Sequence, residues 1–199
     1  MVLMSVWTVC EAQVNLSNGL VAHWKFDGNA QDSSLNGNHG VVNGATLTTD
    51  RCGRPNRAYT FDGIDDYIAL GNNAAFNFGA GDFTISVWFY SSGTQIDKYI
   101  IGKYTSPNPP CYGVGTGHNS DAYAQIRGPG LVESRGGTNL SDNKWHHMTV
   151  VYGRNNNMTI YVDGLQEVFS NISGSQGSIN NNIDLFIGKI NSGQNFGGK

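Results

Sequence analysis

The 199-residue sequence is poor in charged residues, which make up 14% of it, and contains only three glutamates. It also lacks long runs of alanine, leucine, glutamate and lysine, the residues that usually build helices. Glycine is abundant instead, with 27 residues, and asparagine is frequent. Both residue types suit the positive-φ positions of tight turns. This composition argues against a helical protein and predicts an all-β fold with many turns.

The sequence lacks the features of a nucleic-acid-binding protein and of a membrane-spanning protein. The formal net charge is -3 and no basic cluster is present, whereas a protein that binds duplex nucleic acid needs a basic stripe that displaces counterions. No apolar run approaches the roughly 20 residues that span a bilayer as a helix. The sequence therefore predicts neither nucleic-acid binding nor a membrane span.

The start of the chain differs from the rest. Residues 1–9 form a short apolar run, and Ala12 supplies a small residue suited to cleavage, as at the end of a secretory signal. We expect residues 1–12 to be a partial signal peptide and the protein to be secreted or at the cell surface; the alternative is a short N-terminal strand. Cys52 and Cys111 would then remain, and we expect an oxidising compartment to join them in a disulfide, the alternative being two free thiols.

Short apolar or alternating segments between turn residues predict about a dozen strands. The predicted strands cover 20–26, 40–46, 58–61, 67–70, 83–90, 99–103, 112–118, 122–127, 146–152, 158–162, 166–169 and 185–187. No segment has a sustained period of 3.6 residues, and the Gly-rich stretch around Glu133 is interpreted as a loop. The pattern predicts one domain over residues 13–199, a two-sheet antiparallel sandwich.

Five motifs follow one another in a recognisable order. They are GLVAHWKFDGN at 19–29 followed by DSS at 32–34, AYTFDG at 58–63 with DDYI at 65–68, FTISVWF at 83–89, WHHMTVVY at 145–152 with IYVDG at 160–164, and LFIG at 185–188. Together they resemble the laminin-G-like jelly-roll domains of the concanavalin A-like lectin/glucanase superfamily, over about residues 18–199. The resemblance implies a jelly roll that binds a ligand outside the cell.

The resemblance also carries an expectation about the end of the domain. The family usually closes with a further strand, which residues 196–199 would begin. We therefore expect a domain that lacks its final strand and belongs to a larger multidomain protein. The strand predicted at 20–26 would then be an unpaired edge, which favours aggregation.

An enzyme is one interpretation, because the superfamily also contains glycoside hydrolases. Hydrolysis of a glycosidic bond usually takes two carboxyl groups on either side of the bond, which related hydrolases often place in an E-x-D-x-x-E pattern. Glu133 has no carboxylate two or four positions away, Glu167 lies beside a hairpin turn, and Glu11 lies in the predicted signal. We therefore expect a module without catalytic activity.

The resemblance further implies a structural Ca²⁺ near the first predicted strand, with Asp27 at the family's acidic position. Asp32 and Asn38 lie in the same oxygen-rich stretch, and calcium prefers six to eight oxygen ligands from carboxylates, amides and carbonyls. The alternative is that these residues form Asx turns with local hydrogen bonds only.

One predicted sheet face carries residues suited to a sugar. Along 122–127 the small apolar residues share one parity and the polar residues share the other, so the polar set is expected to face outward. The predicted ligand-binding residues are Tyr112, His118, Tyr123, Gln125 and Arg127. The alternative is a solvated sheet face, and the alternating Gly113, Gly115 and Gly117 are interpreted as close sheet packing.

Two aromatic features are interpreted structurally. If residues 146–152 form a strand, the side chains of His146 and His147 point to opposite faces, so we expect one to be packed and the other exposed. Trp24, Trp88 and Trp145 lie among alternating apolar residues and are expected to anchor the core.

The predicted function is therefore binding by a module of a secreted or cell-surface protein. A polysaccharide or other glycan is the first expected partner, and an extracellular protein contacted in adhesion is the second. A domain related to glycoside hydrolases is the third interpretation. Fold alone does not separate these functions.

Overall fold

The computed structural model describes residues 15, 17–105, 107 and 109–199, and strands dominate them. Their bounds are β1 Val41–Asn43, β2 Thr46–Thr48, β3 Ala58–Asp62, β4 Tyr67–Gly71, β5 Phe83–Tyr90, β6 Lys98–Lys103, β7 Cys111–Thr116, β8 Asp121–Arg127, β9 Leu131–Asn139, β10 Trp145–Gly153, β11 Asn157–Val162, β12 Leu165–Asn171, β13 Leu185–Ile187 and β14 Gly197–Gly198. Two short 3₁₀ helices, Ala74–Phe76 and Ser173–Ser175, are also present. The predicted signal peptide, residues 1–12, lies outside the described residues.

The strands form two layers of antiparallel sheet. The first sheet has the order β1-β4-β13-β6-β7-β8-β9. The second combines β12-β11-β10-β5 with β14-β3-β2, which meet where Ser91 bridges Gly198 and where the backbones of Tyr90 and Lys199 exchange two hydrogen bonds of 2.8 Å. This arrangement confirms the predicted jelly-roll sandwich.

The core lies between the inner faces of the two sheets. On β8 the inward residues are Ala122, Ala124 and Ile126, and on β10 they are Met148, Val150 and Tyr152, all without solvent exposure. Burial of one large apolar side chain contributes about 1.5–3 kcal/mol. A slip of one residue would turn these side chains outward, so the core fixes the register of the strands.

The segment 20–26 was predicted as a strand, and that prediction is wrong. Within it Trp24 forms an isolated bridge to Asp32, and Phe26 has a φ of 55°, which interrupts an extended chain. Side chains hold the segment instead, because the indole nitrogen of Trp24 donates to the carbonyl of Asn38 at 2.8 Å. Without a strand here, the expected unpaired edge does not arise.

The residues expected to begin a closing strand do pair with the second sheet. Gly197 and Gly198 pair with Asp62 and Phe61 of β3 as β14, and the Phe196 side chain is fully buried in the core. These residues therefore join β3 to the end of β5.

The stretch around Glu133 is a strand, not the loop that was predicted. β9 runs beside β8 with Glu133 opposite Gln125. Across the open side of the sandwich, the Glu167 carboxylate of β12 accepts hydrogen bonds from the backbone nitrogens of Gly137 at 2.7 Å and Thr138 at 3.2 Å, and from the Thr138 hydroxyl. Glu167 therefore ties the edges of the two sheets together.

Cys52 and Cys111 are both free, so the predicted disulfide is absent. Cys52 is exposed in the turn after β2, whereas Cys111 is fully buried at the start of β7. The Cys111 sulfur accepts a 3.6 Å hydrogen bond from the side-chain amide of Gln125. Burial raises the pKa of Cys111 to about 12, so this thiol stays protonated.

The tryptophan prediction is partly wrong. Trp24 packs against the core while partly buried, but Trp88 is 45% exposed because its neighbour Phe89 takes the inward position of β5. Its ring stacks on His147 at 4.9 Å on the outer face of the second sheet. His146 is buried and His147 is half-buried, close to the packed and exposed pair that was expected. No helix in the described part of the chain is long and apolar enough to cross a membrane.

Candidate functional site

A cleft of about 180 Å³ lies on the outer face of the first sheet. Small-molecule pockets typically have volumes of roughly 300–1,000 Å³, so this cleft is large enough only for a small ligand or for one end of a longer ligand. Its lining residues come from β6, β8, β9 and neighbouring loops: Asp97, Tyr99, Tyr104, Tyr123, Gln125, Arg127, Leu131, Glu133, Arg135 and Gln194.

Glycines of β7 form the floor beneath the aromatic residues. Gly113 and Gly115 pair with Gln125 and Tyr123 of β8, so they share the outward face. A Cβ atom on Gly113 would lie 2.9 Å from the Tyr99 ring, and one on Gly115 would overlap the carbonyl oxygen of Lys98. Because these side chains are missing, Tyr99 can lie close to the sheet. This agrees with the interpretation that the glycines allow close sheet packing.

Three tyrosines form one wall of the cleft. Tyr99 stacks on Tyr104 with ring centroids 6.0 Å apart and meets Tyr123 edge-on at 5.8 Å. The Tyr123 hydroxyl lies 2.8 Å from Oε1 of Gln125 and 2.6 Å from Oε1 of Glu133. Burial raises the pKa of both Tyr99 and Tyr123, so their hydroxyls remain hydrogen-bond donors at neutral pH.

The charged residues of the cleft differ in how they are paired. The Arg135 guanidinium lies over the Tyr123 ring, 4.8 Å from its centroid, and 3.3 Å from Oδ1 of Asp97. Oδ2 of Asp97 is 2.6 Å from Nδ1 of His118. Arg127 is different, because its Nε is buried and has no hydrogen-bond partner among the described residues.

The structure brings together three of the five predicted ligand-binding residues. Tyr123, Gln125 and Arg127 line the cleft side by side, with the polar face outward as predicted. His118 lies at the edge of the cleft, beside Asp97, with 70% of its side chain exposed. Whether these residues bind a ligand stays a prediction.

Tyr112 does not face the cleft, and its predicted outward position is wrong. It pairs directly with Ile126, and directly paired residues of an antiparallel ladder point to the same face. Tyr112 is therefore buried in the core, where its hydroxyl donates to the carbonyl of Phe76 at 3.0 Å.

Several cleft residues were missed by the sequence analysis. Leu131, Glu133 and Arg135 alternate along β9 and share the outward face. The alternation could have identified these residues as part of a strand. Gly136 and Gly137 are unusual inside a strand, however, so the segment was interpreted as a loop. Tyr99 and Tyr104 carried no signal of their own, because only sheet pairing brings them to β8.

Asp32, one of the predicted calcium ligands, has both carboxylate oxygens occupied. They accept hydrogen bonds from the backbone nitrogens of His23, Ser34 and Asn38 at 2.8–3.0 Å, and from the Ser34 hydroxyl. Burial opposes ionisation of Asp32, but these donors outweigh it and lower its pKa to about 2. This is the bonding of an Asx turn that closes the N-terminal segment.

The other two predicted ligands also have protein partners. Asp27 forms an ion pair with Arg57 at 2.9 Å, and Oδ1 of Asn38 accepts from the Asn73 amide at 2.6 Å. All three predicted ligands therefore use their side-chain oxygens in hydrogen bonds or an ion pair within the protein. The geometry favours the Asx-turn alternative, and calcium binding by this domain stays a prediction.

Another acidic group is found in the turn between β3 and β4. Asp62, Asp65 and Asp66 offer carboxylate oxygens that all lie within 4.8 Å of one another. Oδ1 of Asp62 accepts from the backbone nitrogens of Ile64 at 2.8 Å and Asp65 at 3.2 Å. These contacts are those of a polar turn.

Comparison with known proteins gives one sequence match at the level of a superfamily. The profile of the concanavalin A-like lectin/glucanases superfamily matches residues 62–199. Among curated proteins, none is similar enough in sequence to count as a relative.

Solved structures share the fold at low sequence identity. The binding domain of Paraclostridial Mosquitocidal Protein 1 is 16% identical with a TM-score of 0.68, over 84% of this chain and 43% of that one. Domain 4 of AbnA, a GH43 extracellular arabinanase from Geobacillus stearothermophilus in complex with arabinotriose, is 16% identical with a TM-score of 0.69, over 89% and 87%. Domains LG4-5 of the mouse laminin alpha1 chain are 18% identical with a TM-score of 0.54, over 70% and 38%.

At these identities the likeness shows the fold alone. The chain spans less than half the length of the mosquitocidal and laminin structures that it matches. The similar structures are mostly binding domains, and one belongs to a glycoside hydrolase.

Proposed function

The chain belongs to the concanavalin A-like lectin/glucanases superfamily, and from this we propose that it is a non-catalytic module that binds a carbohydrate in the cleft of the first sheet. The module would act in a secreted or cell-surface protein, with a polysaccharide or other glycan as its partner.

The observation that carries the proposal is the combination of groups in the cleft. The half-exposed ring of Tyr104 offers a flat surface to the apolar face of a sugar ring. Around it lie the hydroxyl of Tyr123, the amide of Gln125 and the charges of Arg127 and Glu133. Binding sites commonly combine apolar and aromatic walls with a few convergent polar groups that fix orientation, and sugar hydroxyls both donate and accept.

The state of the cleft carboxylates supports binding over catalysis. Asp97 is engaged by His118 and Arg135, and Oε1 of Glu133 accepts from Tyr123. A glycoside hydrolase needs one carboxylic acid that can donate its proton and one carboxylate free to act as base or nucleophile. Asp97, which contacts both His118 and Arg135, is poorly suited to either role.

A glycan array followed by titration of the strongest ligand tests the proposal, with Tyr104→Ala and Phe169→Ala as a matched pair. Phe169 is an aromatic residue of β12 that is 61% exposed, away from the cleft. Loss of one aromatic contact, worth about 0.5–1.5 kcal/mol, should weaken binding by Tyr104→Ala roughly 2- to 12-fold. Phe169→Ala should bind as the unmodified protein does.

Two results of the binding experiments would contradict the proposal. Absence of saturable glycan binding, or binding that Tyr104→Ala leaves unchanged, would mean that the cleft is not a carbohydrate site. Thermal unfolding of each variant checks that the fold is intact before titration.

A second candidate function is adhesion to an extracellular protein, and a different surface favours it. Apolar residues exposed at the outer face and edge of the second sheet include Val151 by 37%, Trp88 by 45%, Phe169 by 61% and Leu165 by 74%. Exposed apolar patches often mark protein contacts. Retention on cells without any glycan signal, lost on Phe169→Ala and kept on Tyr104→Ala, would support this function instead.

A further inference from the structure

One arginine of the cleft lacks the partner that its surroundings require. Arg127 ends β8 opposite Leu131, and its Nε is shielded from solvent with no hydrogen-bond acceptor among the residues that the structure describes. A buried donor without an acceptor costs free energy that a suitable ligand would recover. Arg127, a residue that lines the cleft, therefore carries an N–H group without an acceptor.

Arg51 has its guanidinium over the Trp88 ring, 4.3 Å from the centroid, and three other arginines of the surface are paired with carboxylates. These pairs are Arg54 with Asp50 at 2.6 Å, Arg57 with Asp27 at 2.9 Å and Arg135 with Asp97 at 3.3 Å. Arg127 has no such ion pair in the described parts of the chain. Its charge is therefore available to a ligand, whereas the charge of Arg135 is shared with Asp97.

On this basis, and resting on the proposed function, we infer that the carbohydrate bound in the cleft is an acidic sugar and that Arg127 binds its carboxylate. A guanidinium group presents parallel N–H donors that match the two oxygens of a carboxylate. A neutral hydroxyl could accept a hydrogen bond from the guanidinium group but would leave the charge of Arg127 without a counterion.

Glu133 narrows the ligand class further. Its carboxylate lines the same cleft, with Oε1 accepting from the Tyr123 hydroxyl, so it repels a ligand that is anionic throughout. The second carboxylate oxygen is an acceptor suited to a sugar hydroxyl. A uronic acid carries one carboxylate and several hydroxyls on a single ring, which matches Arg127 and Glu133 together.

Matched pairs of oligosaccharides that differ only in charge test the inference. Oligogalacturonides and hyaluronan oligosaccharides would be titrated by calorimetry beside their methyl esters, in which each carboxylate is neutralised on an unchanged sugar backbone. At least one acid should bind at least 10-fold more tightly than its ester, since hydrogen bonds to charged groups contribute about 1.5–3 kcal/mol.

Arg127→Gln and Arg54→Gln form the matched pair of variants. Both remove one positive charge, but Arg54 lies in an exposed turn beside Asp50. Arg127→Gln should bring the acid and its ester within about 2-fold of each other, whereas Arg54→Gln should keep the preference for the acid. Arg127→Lys should keep part of it, because it retains the charge without the planar fork.

The outcomes separate this inference from the proposed function. Equal binding of acid and ester, with loss on Tyr104→Ala, would overturn the acidic ligand and keep the carbohydrate site. A preference for the acid that survives Arg127→Gln, or tight binding only to sulfated glycans or to acidic peptides, would also overturn it. Failure of every glycan on the array would overturn the proposed function itself.

Discussion

His146 joins two turns of the second sheet, and its replacement by glutamine should cost stability in a pH-dependent way. Its Nδ1 lies 2.8 Å from Oδ2 of Asp163, in the turn between β11 and β12, and its Nε2 lies 3.0 Å from Oδ1 of Asp142, in the turn before β10. The side chain is only 8% exposed. Since both ring nitrogens face a carboxylate, only the protonated ring can donate to both.

The pKa shifts define the pH range of this contribution. Burial disfavours the charged ring, but the hydrogen bonds to Asp163 and Asp142 outweigh it and raise the pKa of His146 above 6.5. Hydrogen bonds from Lys144 and His146 lower the pKa of Asp142 from 3.8 to about 2. A raised histidine pKa gives stability that is fully present below 6.5 and is lost as the pH rises through the folded-state pKa.

The carboxylate has the opposite dependence. Its contribution is present above the unfolded-state pKa of 3.8 and is lost as the pH falls toward about 2. The two ranges overlap between 3.8 and 6.5. His146→Gln should therefore be most costly in this interval.

Hydrogen bonds to charged groups contribute about 1.5–3 kcal/mol each. Both carboxylates are partly exposed, 45% for Asp163 and 27% for Asp142, so solvent screening reduces this value. We take about 2 kcal/mol for the pair of bonds at about pH 5.5 and about 1 kcal/mol at about pH 9, where one neutral donor remains. In a domain of this size 1 kcal/mol shifts the Tm by about 2–4 °C.

Thermal unfolding followed by circular dichroism at both pH values measures the effect, with His147→Gln as control. His147 lies next to His146 but on the opposite face, with Nε2 2.8 Å from the hydroxyl of Ser86, and burial lowers its pKa. Its replacement should have a smaller effect that does not decline as the pH rises. An equal cost of His146→Gln at both pH values, or an equal cost for both variants, would refute the reasoning.

Two further predictions test the packing beneath the cleft. Gly115→Ala should lower the free energy of unfolding in urea by about 3 kcal/mol or more, because the added methyl group overlaps a backbone carbonyl. In the control Gly174→Ala the added methyl group meets no atom within 4 Å, so the free energy of unfolding should change by no more than about 0.5 kcal/mol. Similar costs for the two variants would refute this account. Cys52 should be alkylated rapidly in the folded protein, whereas Cys111, buried and with a pKa raised to about 12, should react only after unfolding, as peptide mapping by mass spectrometry would show. Rapid alkylation of Cys111 in the folded state would contradict its position in β7.

Part of the cleft could be predicted because alternation along a strand is a local property. Tyr123, Gln125 and Arg127 were placed on one outward face from their parity alone, and the structure agrees. The same rule failed for Tyr112. Alternation shows which residues of one strand share a face, but it does not show which of those two groups lies on the same side of the sheet as a given group of the neighbouring strand. Direct pairing with Ile126 decides that Tyr112 faces the core.

Most of the strands followed from the sequence alone, because each rests on spacing between residues that are close in the chain, and the sandwich and superfamily followed from the resemblance of five ordered motifs to a known family. The convergence of cleft residues from different strands did not follow from the sequence. Tyr104 follows β6, Arg127 ends β8 and Glu133 lies on β9, and they converge only because sheet order and register bring these segments together. The missing partner of the Arg127 Nε is likewise a property of tertiary structure, since it depends on which acceptors the folded chain places within hydrogen-bonding distance.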